Sequence, residues 1–290
     1  MTSSPVTPNA TRLEDNRRPL IMGVLNVTPD SFSDGGQYLT VENAVLRASQ
    51  MVEEGADIID VGGESTRPGS LPVDVETEKT RVLPVIREIK KRFPTIPISI
   101  DTCKFETALA ATQSGATIIN DITGASDIRL AKLAADNKLT LILMHMQNDP
   151  RTMQVAPKYP SGVLNEVLAF LRDRVRLCQE LGLRKENLWV DPGIGFGKTV
   201  QQNLDLLRRI DKLAGIGGRV LIGTSRKSFI DKLENPSVSA GPIAIIEERM
   251  PGTLASGLYA YQLGASVFRV HDVLAMKRAL LMWNSIAFGI

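Results

Sequence analysis

Eight times along the chain a short apolar run ends on a polar or glycine-rich cluster. The runs are Leu20–Asn26, Asp57–Gly63 leading into Glu64-Ser65-Thr66-Arg67, Ile96–Asp101, Thr117–Asp121, Leu139–His145, Leu188–Asp191, Val220–Gly223 before Ser225-Arg226-Lys227-Ser228, and Val267–His271. Helical patterns fill the gaps between them. Alternating strand and helix signals, with chemistry-bearing residues at the C-terminal end of each strand, predict an α/β fold, a single-domain (β/α)8 TIM barrel whose active face is that end. A length of 290 residues suits such a barrel, roughly 250 residues in the usual case, and leaves little room for a second domain.

The helices can be read from their period. Ala44, Val45, Ala48, Met51 and Val52 fall on one face, with Thr40 as the expected N-cap and Gly55 at the C-cap position. The longest stripe runs through Val163, Leu164, Val167, Leu168, Leu171, Val175, Cys178 and Leu181 to Gly182, and is expected to pack on the barrel. Residues 1–18, rich in Ser, Thr, Pro, Asn and charge without periodicity, read as a flexible leader before a barrel domain at 19–290. A transit peptide is disfavoured by Glu14 and Asp15.

Lys and Arg number 34 against 32 Asp and Glu, so a net charge of +2 gives no reason to expect nucleic acid or a membrane surface, and the expected partner is a small molecule. No apolar run approaches the roughly 20 residues of a membrane span, and the N-terminus lacks the apolar core of a secretory signal. Cys103 and Cys178 are the two cysteines. They make neither a disulfide framework nor a metal-ligand spacing, which suits a reducing cytoplasm.

Two loops on the active face are long and dense in Gly, Pro and Ser: residues 27–36, which carry Asp30 and Phe32, and 62–70, which carry Thr66, Arg67 and Pro68. They read either as lids that order over a substrate or as solvated turns with Phe32 tucked against the barrel. Gly193-Ile194-Gly195-Phe196-Gly197-Lys198-Thr199 ends like a phosphate-binding P-loop, but that motif's first glycine would fall at Pro192, so only a glycine-rich turn remains. His145 and His271 sit at different strand ends without the supporting ligands of a zinc site.

Anion chemistry is better supported. Barrels often bind phosphate at the loops after strands seven and eight, where this chain has Ser225-Arg226-Lys227-Ser228 and Arg269-Val270-His271. Asn26, at the first strand end, could hold Mg2+ through its amide oxygen, with waters and phosphate oxygens as the other ligands, or simply cap a turn. Asp101, Asn120 and Asp191, at the ends of strands three, four and six, could read a flat heterocycle presenting N–H donors and a carbonyl, or could cap the helices that follow.

These clusters together resemble the dihydropteroate synthases of the bacterial folate pathway. The resemblance rests on Asn26 to Gly36, Asp60 to Gly69, Ser99-Ile100-Asp101-Thr102, Ile119-Asn120-Asp121-Ile122, Leu143-Met144-His145-Met146-Gln147, Asp191 to Lys198, Ser225-Arg226-Lys227-Ser228 and Arg269-Val270-His271-Asp272. It spans about residues 19–290, with eight motifs in order on consecutive strand ends and no departure among them.

The resemblance implies condensation of 6-hydroxymethyl-7,8-dihydropterin diphosphate with p-aminobenzoate. By family likeness Asp101, Asn120, Asp191 and Lys227 line the pterin slot, Met144 and Phe196 flank the ring and Arg269 lies over its face. Arg269, His271, Thr66 and Arg67 hold the diphosphate, with Mg2+ on Asn26. Asp30 sits near the reacting methylene, Phe32 and Pro68 wall the p-aminobenzoate pocket, and Ser228 meets its carboxylate. The family is usually homodimeric. Two other classes stay open from the sequence. One is the related barrels of methyltetrahydrofolate:corrinoid methyltransferases and methionine synthase modules, expected to lack the Thr28–Phe32 and Ser225–Ser228 elements. The other is a Schiff-base aldolase using Lys227, with Arg226 beside it to lower its pKa.

Overall fold

The computed structural model describes residues 18–28, 37–65, 70–148, 152–234 and 246–289. Its strands are β1 (Leu20–Asn26), β2 (Ile58–Gly62), β3 (Ile98–Asp101), β4 (Ile118–Asp121), β5 (Thr140–Met144), β6 (Leu188–Asp191), β7 (Arg219–Ile222) and β8 (Val267–Val270). They pair in parallel, in chain order, and β8 closes onto β1. Around them lie α1 (Gln37–Glu54), α2 (Val75–Arg92), α3 (Phe105–Gln113), α4 (Ile128–Asp136), α5 (Val163–Glu180), α6 (Val200–Leu207), α7 (Ser228–Glu234), α8 (Met250–Gln262) and α9 (Val273–Phe288). The expected TIM barrel is therefore present, with two helices, α7 and α8, in the connection from β7 to β8 where the basic plan has one.

Strands such as β2 and β6 read as nearly unbroken apolar runs because both of their faces are buried. The outward face packs on helix stripes, as the pattern along α5 predicts: Val163, Val167, Leu168, Leu171, Val175 and Cys178 are all buried. The other end of the helix pattern needs a correction. Helix α1 starts at Gln37, so Thr40 lies inside it and is not its N-cap.

Inside the barrel, Met22, Ile58, Ile118, Ile142, Trp189, Leu221 and Val267 form a separate buried cluster, one residue from each strand except β3. Each large apolar side chain so buried contributes roughly 1.5–3 kcal/mol. Side chains along a strand alternate between its faces, so the residues two further on share the barrel interior. Those are Val24, Asp60, Asn120, Met144, Asp191, Gly223 and Arg269. An apolar plug thus supports a polar layer at the C-terminal mouth, and register sets Asp101 of β3 beside Gly62 and Asn120.

Residues 1–17 of the expected leader lie outside the described residues; Arg18 ion-pairs with Asp57, and its carbonyl accepts from Arg219 at 3.3 Å. Among the described residues no helix is long and apolar enough to cross a membrane.

Candidate active site

Arg269 is the hub of the polar layer. Its Nε donates to Asp60 Oδ2 at 2.7 Å and its Nη2 to Asp101 Oδ2 at 2.6 Å, while Asn120 Nδ2 donates to the same Asp60 oxygen at 3.3 Å. Four strands are thereby tied at one level. Burial pushes the Asp101 carboxyl up to about 7; Arg269 opposes this and the charge of Asp60 adds to it. Asp60 is fully buried, and its Oδ1 has no hydrogen-bond partner among the described residues.

Across the mouth, Asp191 Oδ1 accepts from the Gly193 N–H at 2.7 Å. Burial raises its pKa, against the pull of Lys227. Lys227 donates to the Ile194 carbonyl, and its Nζ stands 4.4 Å from the centroid of the Phe196 ring. Burial brings Lys227 down to about 8; Asp191 works the other way and Arg269 adds to the lowering. Arg226 is not the neighbour that depresses Lys227, contrary to the sequence expectation, because it forms a forked pair with Asp272 at 2.9 and 2.6 Å. Met144, 3% exposed, lies beside Asp191 in register.

Asp101, Asn120, Met144, Asp191, Phe196, Lys227 and Arg269 are thus gathered at one end of the barrel. The helix-capping alternative does not describe the first of them, since Asp101 meets a guanidinium. Local turn bonding is made by Asp191, through the Gly193 N–H, and by Asp121, which accepts from Thr123 and Ala125 N–H groups at 2.8 and 2.7 Å.

The anion side is built from the ends of β7 and β8. The His271 N–H donates to Ser225 Oγ at 3.2 Å, and Ser225 Oγ lies 3.0 Å from His271 Nδ1. Both contacts hold the His271 ring in one orientation at the end of β8. Ser228 is exposed at the start of α7. Asn26 ends β1 next to Gly62, where an added Cβ would meet Asp101 Oδ2 at 3.6 Å and Asn26 Oδ1 at 3.9 Å. The bare glycine keeps that space open. Among the described residues no group of three His, Cys, Asp or Glu could cage a metal, so a cation here would depend on a single amide oxygen, water and substrate oxygens, the donor set Mg2+ accepts.

Asp30, Phe32, Thr66, Arg67 and Pro68 lie outside the described residues. The base of the second loop is fixed: Glu64 ion-pairs with Lys104, which also meets Glu78 at 3.1 Å, and Arg81 donates to the Gly63 carbonyl at 2.8 Å.

Two buried residues of this region escaped the sequence reading. Asp60 sits mid-strand within the second apolar run, where its parity with Gly62 was the available signal. Lys198 closes the glycine-rich turn that fails as a P-loop, and only the fold reveals what its ammonium meets.

A closed barrel with carboxylates, an amide and a lysine at its mouth, backed by an arginine and a histidine, defines an enzyme for a flat heterocycle carrying an anion. The chain belongs to the pterin-binding enzyme family, whose sequence signature matches residues 22–271. It is 46% identical to the dihydropteroate synthase of Escherichia coli (strain K12) over 259 residues, 89% of this chain and 88% of that one. Among solved structures, Xanthomonas albilineans dihydropteroate synthase with 4-aminobenzoic acid superposes with a TM-score of 0.85 at 42% identity, covering 93% of this chain and 94% of that one. The same organism's enzyme in complex with 7,8-dihydropteroate gives 0.81 at 38% identity, covering 98% and 96%. Within the family, the chain stands among the dihydropteroate synthases.

Proposed function

We propose that the barrel mouth holds the pterin ring of 6-hydroxymethyl-7,8-dihydropterin diphosphate while the amine of p-aminobenzoate attacks its methylene carbon, giving 7,8-dihydropteroate and diphosphate. The observation that carries this reading is the meeting of Asp101, Asn120, Asp191 and Lys227 at one end of the barrel around Arg269. Carboxylates accept from the N–H donors of the aminopyrimidinone edge, Asn120 both donates and accepts, and Lys227 donates to ring acceptors. Met144 and Phe196 supply apolar walls for the ring.

The C–O bond breaks largely ahead of C–N formation, the departing diphosphate oxygen taking the electron pair; the amine nitrogen then bonds to the methylene and gives up one proton to water or the released diphosphate. The pterin ring can spread the positive charge left on the methylene, so no covalent enzyme intermediate is needed. The aniline nitrogen is already neutral at neutral pH, so its attack needs no general base. Help therefore comes from charge placed where the anion develops. Arg269, permanently charged, and His271, its ring turned by Ser225, face the diphosphate; Thr66 and Arg67 join them from the second loop. Mg2+ held by Asn26 would neutralise diphosphate charge. Asp30, Phe32, Pro68 and Ser228 complete the p-aminobenzoate pocket, and closed loops keep water from the cation.

The homodimer is supported by exposed apolar side chains on α9, where Leu281, Met282 and Ile286 are 64%, 63% and 78% exposed, and by exposed Tyr259 on α8, a helix that packs against α9. Unpaired Cys103 and Cys178 fit a reducing cytoplasm. The test of the reaction is diphosphate release on mixing the protein with the pterin diphosphate, Mg2+ and p-aminobenzoate. Release that ignores omission of p-aminobenzoate, or none with all three present, contradicts it.

A further inference from the structure

Lys198 is 3% exposed, and its ammonium is enclosed by backbone. Nζ lies 2.9 Å from the Gly193 carbonyl, 2.9 Å from that of Phe196, 3.3 Å from that of His145 and 3.1 Å from His145 Nδ1. Burial lowers the Lys198 ammonium to about 7, with Asp191 working the other way and Lys227 adding to the lowering; in the charged form three N–H donors serve four acceptors. Burying an ammonium is costly, and a leucine or methionine would fill the same space without that cost. Either would leave the carbonyls without their donor. Burial and the adjacent lysine hold His145 down to about 3, so its ring is neutral and Nδ1 is free to accept.

What the carbonyls define is the turn after β6. At Gly193 the backbone has φ +67, and an added Cβ would come within 1.9 Å of the His145 carbonyl, so the chain passes against the end of β5 as closely as atoms allow. Further ties fix the turn from outside: the Gly195 N–H donates to Asn203 Oδ1 at 2.7 Å, and Tyr159 donates to the Gly197 carbonyl at 2.8 Å. Toward the mouth the same turn presents the Gly193 N–H to Asp191, the Ile194 carbonyl to Lys227, and the Phe196 ring beneath that lysine.

We infer that Lys198 is a positioning residue for pterin binding: by gathering the carbonyls of His145, Gly193 and Phe196 it fixes the turn against which Asp191 and Lys227 take up their places. It acts through that turn and does not touch the substrate. The inference rests on reading the mouth as the pterin slot.

The test compares Lys198→Met with the wild-type protein in the diphosphate-release assay, varying each substrate in turn. Losing a charged donor that serves several acceptors predicts a rise of about tenfold or more in KM for the pterin diphosphate, with KM for p-aminobenzoate within about twofold. Lys198→Gln keeps a donor and should restore part of the loss. Unchanged pterin KM overturns the inference; so does a parallel rise in both KM values accompanied by a fall in melting temperature, the mark of a merely structural residue. Hydrogen exchange on the substrate-free wild-type protein decides the matter even if both variants fail to fold. Amides of residues 193–197 should be protected, and exchange at the rate of a solvated loop would overturn the clamp. Should the wild-type protein turn over neither substrate, the pterin reading itself has failed, while the exchange result still stands for or against the clamp.

Discussion

Replacing Lys227 by alanine separates binding from folding at this site. The side chain supplies a charged donor at the slot and is the largest influence opposing the burial of Asp191. A hydrogen bond to a charged group is worth about 1.5–3 kcal/mol, and each 1.36 kcal/mol is tenfold in rate, so kcat/KM for the pterin diphosphate should fall by about tenfold to somewhat over a hundredfold. The fold should not suffer. Lys227 is lowered from 10.5 to about 8, so the folded chain holds this proton more weakly than the unfolded one. Its charge costs stability below about pH 8, and that cost fades as pH rises toward 10.5. The variant lacks the cost, so its melting temperature at pH 7 should equal or exceed that of the wild type, a trade between function and stability. The charged form is also the one that donates fully, so wild-type kcat/KM for the pterin should fall as pH rises through about 8, and the variant should lose that limb. Diphosphate release across pH together with thermal melting provides the readout. Wild-type kcat/KM in the variant, or equal losses for both substrates with a lower melting temperature, would refute the reasoning.

Two other outcomes are expected. Gly193→Ala forces a Cβ within 1.9 Å of the His145 carbonyl at φ +67, so it should destabilise by roughly 3 kcal/mol or more and lower the melting temperature by about 5–10 °C in a scanning calorimeter; an unchanged melting temperature would mean that the turn has other conformations. If the loops complete the p-aminobenzoate pocket only over diphosphate and Mg2+, then p-aminobenzoate or a sulfonamide should bind the empty protein at least about tenfold more weakly than the loaded one, and equal calorimetric affinities would contradict this.

Much of the fold was legible because a strand buried on both faces must be apolar along its length, and a barrel strand must end at the mouth. The site was legible for a related reason: Asp101, Asn120, Asp191 and Arg269 stand at or near those ends, where a polar residue is conspicuous. Asp60 was not, because it lies inside an apolar run and its partner Arg269 is far away in sequence. Lys198 was hidden for another reason. Its acceptors are main-chain carbonyls, and which carbonyls converge on one point depends on the glycine dihedrals and on how closely β5 and β6 approach. Arg226 misled in the opposite way, since adjacency to Lys227 suggested a charge effect that Asp272 removes. Thr40 showed how a good capping residue can be overridden when a helix gains another turn before it.

The central claim is that the strand-end set reads the pterin edge, and a crystal structure of the protein with the pterin diphosphate and Mg2+ tests it most directly. The ring should lie between Met144 and the Lys227–Arg269 side of the mouth, with its aminopyrimidinone edge on Asn120 and Asp191 and its diphosphate toward His271 and Asn26. A pterin bound away from these residues, or seated with its diphosphate against Asp101 and Asp191, would contradict the account.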